Sequence, residues 1–378
     1  MLFRSCLAGD RSQHSGEAPR TYSIGFHADG FDEMGYARIA ARHFATRHNE
    51  YYVSPADVVA AIPKIAAVHD QPFGNSSSVP TYYCAKAARS DGVEIMLGGD
   101  GGDELFGGNS RYAVQYLYSL YSDLPASLRT GLLEPVAFAL PAVFAGKMQR
   151  YMRSAAMPMP ARYDKYNLVE HFGPAAVFSA EFLAEIDLDE PRSAMAAAYR
   201  QGLGRSLINR MLALDLKYTL ADNDLPKVSR SCELAALEAG FPMLDDAVVG
   251  FAARLAPGLK LRRTRLRYFF KRALRDFLPR ETLNKKKHGF GLPFGPWLQT
   301  HRPLRELALD SLSSLKKRNV IRPAFIDELM SVHVDRHVGY FSTMVWVLMM
   351  LEQWFARSPD AAGDRAPSDP HVSLEYAS

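Results

Sequence analysis

The sequence predicts an α/β protein in which a parallel β-sheet precedes a mainly helical C-terminal part. Short apolar runs alternate with helical patterns over residues 20 to about 110, and this alternation is typical of βαβ units. Beyond Asn109 the chain carries long helical patterns, with prolines between them and few strand-like runs. We therefore expect an α/β part over 1–112, a helical part over 113–356, and a disordered tail over 357–378, which is rich in Pro, Asp, Ser and Ala.

The first part begins with a predicted strand, helix and strand. Residues 20–26 form a short apolar run that ends at a glycine and a phenylalanine, as a strand does. A helix is predicted after it, because Tyr36, Ala40 and Phe44 recur every four residues. Residues 48–54 are predicted to be the second strand.

Local signals also place the next elements. Ser54 is a predicted N-cap, with Pro55 at the first helical position and Asp57 at the third, so a helix begins there. Residues 93–97 read as a third strand that runs straight into a glycine-rich loop. Residues 343–355 are apolar on nearly every side and too short to cross a bilayer, which predicts a buried core helix.

Composition excludes several classes of protein. Of 378 residues, 48% are hydrophobic and 23% charged, which is the balance of a folded protein. A net charge of +4 is too mild to indicate a nucleic-acid partner. Cys6, Cys84 and Cys232 lie far apart, so neither a disulfide framework nor a CxxC metal site is predicted. Without a signal peptide or a membrane-spanning run, we expect a cytoplasmic protein with no membrane contact.

The glycine-rich loop carries the strongest chemical signal. Six of the 26 glycines lie within residues 98–108, where they flank Asp100, Asp103 and Glu104. Bare backbone N–H groups after a strand can approach a phosphate closely, and the acids fit beside it if Mg²⁺ lies between them. The alternative is a tight turn followed by an acidic helix N-terminus. Neither a GxGxxG fingerprint nor a GK[ST] loop is present.

A basic segment follows in the second part. Residues 260–287 hold twelve Lys and Arg residues against two acids. Most of these are interpreted as a solvated helix face, and nucleic-acid binding lacks the interleaved aromatic residues it would need. Lys287 is the exception, because it adjoins a Gly-Phe-Gly loop where it could neutralise a leaving pyrophosphate. His48 and His69 are predicted to be structural.

Together these segments resemble the synthetase domain of asparagine synthetases, the glutamine-dependent amidotransferases. The resemblance covers roughly residues 20–300, and its wording is most similar to the bacterial branch associated with exopolysaccharide and exosortase gene clusters. It implies a fold of the ATP-pyrophosphatase (adenine nucleotide α-hydrolase-like) type. The segments that carry it, in family order, are TYSIGF, DQPFGNSSSVPTY, LGGDGGDELFGGN, FPMLDD and LPRETLNKKKHGFGLPFGPW.

The resemblance implies an ATP-dependent amide ligase of the asparagine synthase (glutamine-hydrolysing) type. A carboxylate, that of aspartate in the family, attacks the α-phosphate of ATP, which forms an acyl-adenylate and releases pyrophosphate. Ammonia from glutamine, delivered by a separate glutaminase domain, then displaces AMP. Mg²⁺ would be held with the pyrophosphate by Asp103, together with Glu104.

The resemblance also implies roles for other residues. Ile24 would offer its backbone to adenine, and Gly98 and Gly99 would touch the nucleotide. Asp100 takes the acidic position that is linked to the adenylate and to deprotonating the incoming ammonia. Lys287 would neutralise the phosphates.

Three positions depart from the family pattern. Gly98 replaces a serine, which removes one hydroxyl donor. Ser229 and Gly240 stand where many members carry an aspartate and an arginine, so recognition of the substrate carboxylate differs. A related ligase that acts on another carboxylate is therefore an alternative.

The family's pyrophosphate loop, SGGxDS, and its glutaminase domain are missing from this sequence. The loop should lie about twenty residues before the strand at 20–26, and its strand is central in a doubly wound sheet. Its loss would leave two neighbouring strands with unpaired edges. We therefore expect a truncated chain that is poorly soluble on its own. The alternative function is a catalytically inactive remnant that binds a nucleotide or a partner.

Overall fold

The computed structural model describes residues 2–14, 17–28, 30–139, 142–201, 206–285, 291–333 and 338–357. Apart from Arg357, the predicted tail at 357–378 lies outside these residues. The described strands are β1 Arg20–Phe26, β2 Arg47–Val53, β3 Ile95–Leu97, β4 Glu238–Gly240, β5 Leu261–Arg262 and β6 Arg265–Leu266.

Helices make up most of the described chain. The α-helices are α1 Leu2–His14, α2 Met34–His43, α3 Pro55–Val68, α4 Ser78–Ser90, α5 Gly102–Phe106, α6 Ser110–Ser122, α7 Ala126–Leu128, α8 Glu134–Ala139, α9 Ala142–Ala156, α10 Leu168–Phe172, α11 Pro174–Val177, α12 Ala180–Glu185, α13 Glu190–Gln201, α14 Leu207–Asp215, α15 Leu225–Leu234, α16 Asp246–Arg254, α17 Pro257–Lys260, α18 Tyr268–Ala273, α19 Arg280–Asn284, α20 Phe294–Thr300, α21 Arg302–Leu315, α22 Pro323–Glu328 and α23 Val338–Phe355. Short π-helical segments lie at Arg129–Leu133, Leu216–Asp224 and Leu329–His333, and 3₁₀ segments at Ala161–Tyr166, Pro242–Leu244 and Lys316–Arg318. The mainly helical second part predicted from the sequence is confirmed.

The first βαβ unit forms as predicted. β1 and β2 pair in parallel along their whole length, with Ile24 opposite Tyr51. Helix α2 connects them and buries Met34, Ala37 and Ala40 against the strands. Apolar residues at this helical spacing face one side, so the local pattern was sufficient to predict the unit.

Helix α3 begins with the predicted capping box. The Ser54 hydroxyl accepts a hydrogen bond from the Asp57 backbone N–H (3.2 Å). In return, the Asp57 carboxylate accepts bonds from the Ser54 backbone N–H (2.9 Å) and hydroxyl (2.8 Å). Two backbone donors at the helix N-terminus are therefore satisfied.

Removing this cap should weaken the fold measurably. We expect Ser54→Ala to lower the free energy of unfolding by about 1 kcal/mol, because the first turn of α3 loses its side-chain acceptor. Urea denaturation followed by circular dichroism measures the change. Ser90→Ala at the far end of α4, where the exposed hydroxyl bonds only to the Lys86 carbonyl, is the control. Equal effects of the two substitutions would contradict the capping role.

The predicted sheet is divided into separate parallel pairs. Among the described strands, β1 pairs only with β2, and β3 pairs in parallel only with β4. Both pairs border one hydrophobic cluster that includes the buried Ala85 and Ala88 of α4, and Tyr22 of β1 and Met96 of β3 pack against this cluster. On the other face of β3, Ile95 and Leu97 are 57% and 43% exposed.

The third strand is shorter than the predicted run of residues 93–97. Val93 does not enter the ladder, because its backbone N–H bonds to the Ala88 carbonyl and closes the end of α4. The strand therefore begins at Ile95 and ends at Leu97, immediately before the glycine-rich loop. The end of the preceding helix thus decides where β3 begins.

The largest hydrophobic cluster lies around α23, which packs against α3, α20 and α21. This confirms the buried core helix predicted over residues 343–355. Two of the three tryptophans, Trp297 and Trp346, lie in this cluster. The third, Trp354, follows on α23 and donates its indole N–H to the His69 carbonyl (3.2 Å). No described helix has both the length and the apolar character needed to cross a membrane.

A second cluster lies beneath the glycine-rich loop. It joins Phe3 of α1, Phe106 of α5 and Phe270 of α18, and the Phe3 and Phe270 ring centroids are 4.6 Å apart. This cluster packs against the glycine-rich loop through Phe106 of α5, and helix α1 contributes Phe3 to the cluster.

Candidate functional site

The glycine-rich loop leaves the carboxyl end of β3 in a fixed conformation. The Gly98 backbone N–H donates to the Gly240 carbonyl (2.8 Å), which carries the pairing with β4 one residue into the loop. Gly101 has φ +88°, a conformation that L-residues rarely adopt, and a Cβ there would lie 2.3 Å from a Leu244 methyl carbon. Residue 101 therefore has to be glycine.

The N-terminal turn of helix α1 packs against this loop. A Cβ on Gly99 would lie 3.0 Å from the Arg4 backbone nitrogen, and a Cβ on Gly102 would lie 2.4 Å from the Phe3 ring. The glycines thus allow the positive end of a 13-residue helix to reach the loop. They have a packing role in addition to any approach to phosphate.

Asp100 points into a small charged group that includes a lysine from α15. The Lys227 ammonium lies 2.7 Å from an Asp224 carboxylate oxygen and 4.0 Å from one of Asp100. A Cβ on Gly98 would lie 2.9 Å from the other Asp100 oxygen, so glycine in place of the family's serine gives that carboxylate room. The sequence alone did not indicate Lys227 as a site residue, since nothing local links it to Asp100.

Asp103 is held by an arginine from the basic segment. Arg267 donates from Nε to Asp103 Oδ1 (2.8 Å), and its Nη2 lies 2.7 Å from the same oxygen. The two residues are 164 positions apart in the sequence. For Arg267, the interpretation of the basic segment as a solvated face is wrong, because its side chain is largely buried.

Glu104 turns into the protein instead. It is 6% exposed, and burial, followed by the charge of Asp103, raises its pKa to about 7. Asp215, also buried, accepts bonds from Arg111 Nε (3.0 Å) and the Tyr112 hydroxyl. Its pKa is raised by burial, against the opposing charge of Arg111.

The remaining predicted site residues are more dispersed. Ile24 lies buried in β1 and lines a cavity of about 350 Å³ between the β1–β2 pair and α4, and neither Gly98 nor Gly99 lines that cavity. Lys287 lies outside the described residues. Its described neighbour Lys285 forms an ion pair with Glu33 beside α2.

The acids of the loop are the candidate metal ligands. No cluster of three or more His, Cys, Asp or Glu side chains among the described residues could hold a metal ion. Mg²⁺ that is shared with phosphate needs only one or two protein carboxylates. Asp100 and Asp103, on either side of Gly101 and Gly102, fit that smaller requirement, whereas Glu104 is buried.

A family model described as asparagine synthase matches residues 5–356, so the chain belongs to the asparagine synthase family. This confirms the resemblance drawn from the sequence. The matched range covers nearly all of the described residues.

Individual relatives carry the corresponding names. The chain is 29% identical over 342 residues to a putative asparagine synthetase [glutamine-hydrolyzing] of Mycobacterium bovis, covering 89% of this chain and 50% of the relative. It is 24% identical over 345 residues to asparagine synthetase [glutamine-hydrolyzing] 1 of Bacillus subtilis, covering 89% and 51%. A putative asparagine synthetase [glutamine-hydrolyzing] 2 of Methanocaldococcus jannaschii is 39% identical over 109 residues, or 29% of this chain and 21% of the relative. The chain thus spans about half the length of the first two relatives.

Proposed function

We propose that this chain is the synthetase half of an ATP-dependent amide ligase. It would activate a carboxylate, that of aspartate, as an acyl-adenylate for attack by ammonia derived from glutamine. The observation that carries the proposal is the loop after β3, where glycine backbone, the N-terminus of α1, two carboxylates and two cations meet. Family membership and the names of the relatives support the same chemistry.

The fold is proposed to be of the ATP-pyrophosphatase type, with its α/β part over 1–112 and its helical part over 113–356. The parallel pairs β1–β2 and β3–β4 support this assignment. In it, the backbone of Ile24 binds adenine, while Gly98 and Gly99 approach the phosphates.

Each charged residue of the site has a separate proposed role. Asp103 would hold Mg²⁺, which would supply charge neutralisation for a pyrophosphate leaving group, whereas Glu104, the second ligand predicted from the sequence, is buried. Asp100 would accept a proton from the attacking ammonia, and Lys227, whose ammonium lies 4.0 Å from that carboxylate, would add positive charge beside it. Lys287 would add a further positive charge at the phosphates.

ATP–pyrophosphate exchange tests the proposal directly. Adenylate formation is reversible and needs no ammonia, so the assay does not depend on a glutamine-hydrolysing half. With ATP, Mg²⁺ and aspartate present, we expect labelled pyrophosphate to enter ATP, and no exchange when aspartate is omitted. ATP binding without exchange for any carboxylate would contradict the ligase and favour an inactive nucleotide-binding remnant.

A second candidate is a ligase for a different carboxylate. Gly240 bonds directly to the loop at Gly98, yet it lacks the guanidinium that many family members carry at this position. Arg230, the nearest arginine in sequence, pairs with Glu233 (2.8 Å) and lies 3.7 Å from Asp70. Exchange measured with a panel of amino acids, dicarboxylates and uronic acids separates the candidates, since aspartate should be inactive if this one is correct.

A further inference from the structure

We propose that Arg267 is a positioning residue that holds the Asp103 carboxylate in the orientation needed to bind a divalent cation together with phosphate. The Gly107–Gly108 turn has the geometry that admits this pair. The inference rests on the proposed function, because it gives a role to a residue behind the proposed cation ligand.

The contact between Arg267 and Asp103 differs from an ordinary surface ion pair. Two of the three guanidinium nitrogens, Nε and Nη2, approach one carboxylate oxygen, Oδ1, at 2.8 and 2.7 Å. A fork-to-fork pair would use both oxygens. Two donors on a single oxygen hold Oδ1 in place, and this position of Oδ1 is what would orient the carboxylate toward a cation.

Arg267 is itself held from several sides. Its backbone has φ +51°, an uncommon conformation for a residue other than glycine. Its backbone N–H donates to the Gly107 carbonyl (3.1 Å). Its guanidinium lies over the Phe3 ring, 5.5 Å from the centroid, in the geometry of a cation–π contact. Strained backbone persists where the surroundings determine it and is concentrated at functional sites.

The turn after α5 leaves no space for any side chain at the ion pair. A Cβ on Gly108 would lie 1.7 Å from Asp103 Oδ1 and 2.6 Å from Arg267 Nε, the two atoms that form the bond. Gly107 has φ +72°. Gly108→Ala therefore disturbs the same contact as a substitution at Arg267, and it does so without changing any charge.

Binding of Mn²⁺ in the presence of α,β-methylene-ATP tests the inference, with free Mn²⁺ measured by electron paramagnetic resonance. We expect Arg267→Met and Gly108→Ala to weaken Mn²⁺ binding at least tenfold, and Arg267→Lys to give an intermediate loss. Arg265→Met, an exposed arginine two residues away, and Gly35→Ala, whose Cβ would meet nothing within 4 Å, should stay within twofold of wild type.

A second readout separates positioning from general damage. With EDTA present, nucleotide affinity should be the same in wild type and in Arg267→Met, because the nucleotide then binds without the cation. A parallel loss with and without the cation would overturn the positioning role, as would wild-type Mn²⁺ affinity in both variants. If wild type binds no nucleotide at all, the proposed function itself fails.

Discussion

Asp103→Asn is expected to lower ATP–pyrophosphate exchange by roughly 100-fold or more, the usual scale for losing one charged stabiliser of a transition state. Asparagine keeps an oxygen that can accept the Arg267 hydrogen bonds, so the loop should hold its shape. What is lost is the negative charge that is proposed to bind Mg²⁺. Labelled pyrophosphate entering ATP gives the rate, and a thermal melt checks that the fold is intact.

The matched control for this substitution is Asp276→Asn. Asp276 has an 86% exposed side chain that accepts a hydrogen bond from the adjacent Arg275, so neutralising it should leave exchange unchanged. Exchange at the wild-type rate in Asp103→Asn would exclude Asp103 as the cation ligand. Equal losses in both variants would indicate an effect of net charge.

His69→Phe should remove a large part of the acid sensitivity of the fold. His69 is 5% exposed and stacks on Phe73 with ring centroids 4.1 Å apart. Burial, and then the positive charge of Arg230, lowers its pKa from 6.5 to about 4. Between these pH values, His69 therefore binds a proton in the unfolded chain but stays neutral in the folded chain.

The sign and size of the effect follow from this difference. The stability contributed by neutral His69 is complete above about pH 6.5 and is lost as the pH falls toward 4, a loss of roughly 3 kcal/mol. Urea denaturation from pH 7.5 to 4.5 should show wild type losing that much relative to His69→Phe. His43→Phe, at an exposed position on α2, should keep the wild-type pH dependence. Parallel curves for wild type and His69→Phe would contradict the prediction.

Local patterns were sufficient to predict the first βαβ unit and the start of α3. Strand β1, helix α2 and the capping box at Ser54 depend on residues within four positions of one another, so the sequence shows them directly. The division of the sheet could not be predicted in the same way. It depends on which strands find a partner, and the partner of β3 comes from residues 238–240, over a hundred positions later.

The site, too, has some features that local sequence predicts and others that depend on long-range contacts. The loop and its three acids could be located because six glycines concentrate there. Lys227 and Arg267 could not, because each meets its aspartate only after the chain has folded across more than a hundred residues. The buried environment of Glu104 was also missed, since an acid in the first turn of a helix normally faces solvent.

The placement of the tryptophans determines what intrinsic fluorescence can report. Trp297 and Trp346 lie in the large cluster around α23, and Trp354 lies on that same helix. The cluster under the glycine-rich loop is built from phenylalanines instead. Emission at tryptophan wavelengths will therefore follow melting of the helical core and remain insensitive to events at Asp103 or Arg267. A tryptophan substituted for Phe270 would give the loop a spectroscopic signal of its own.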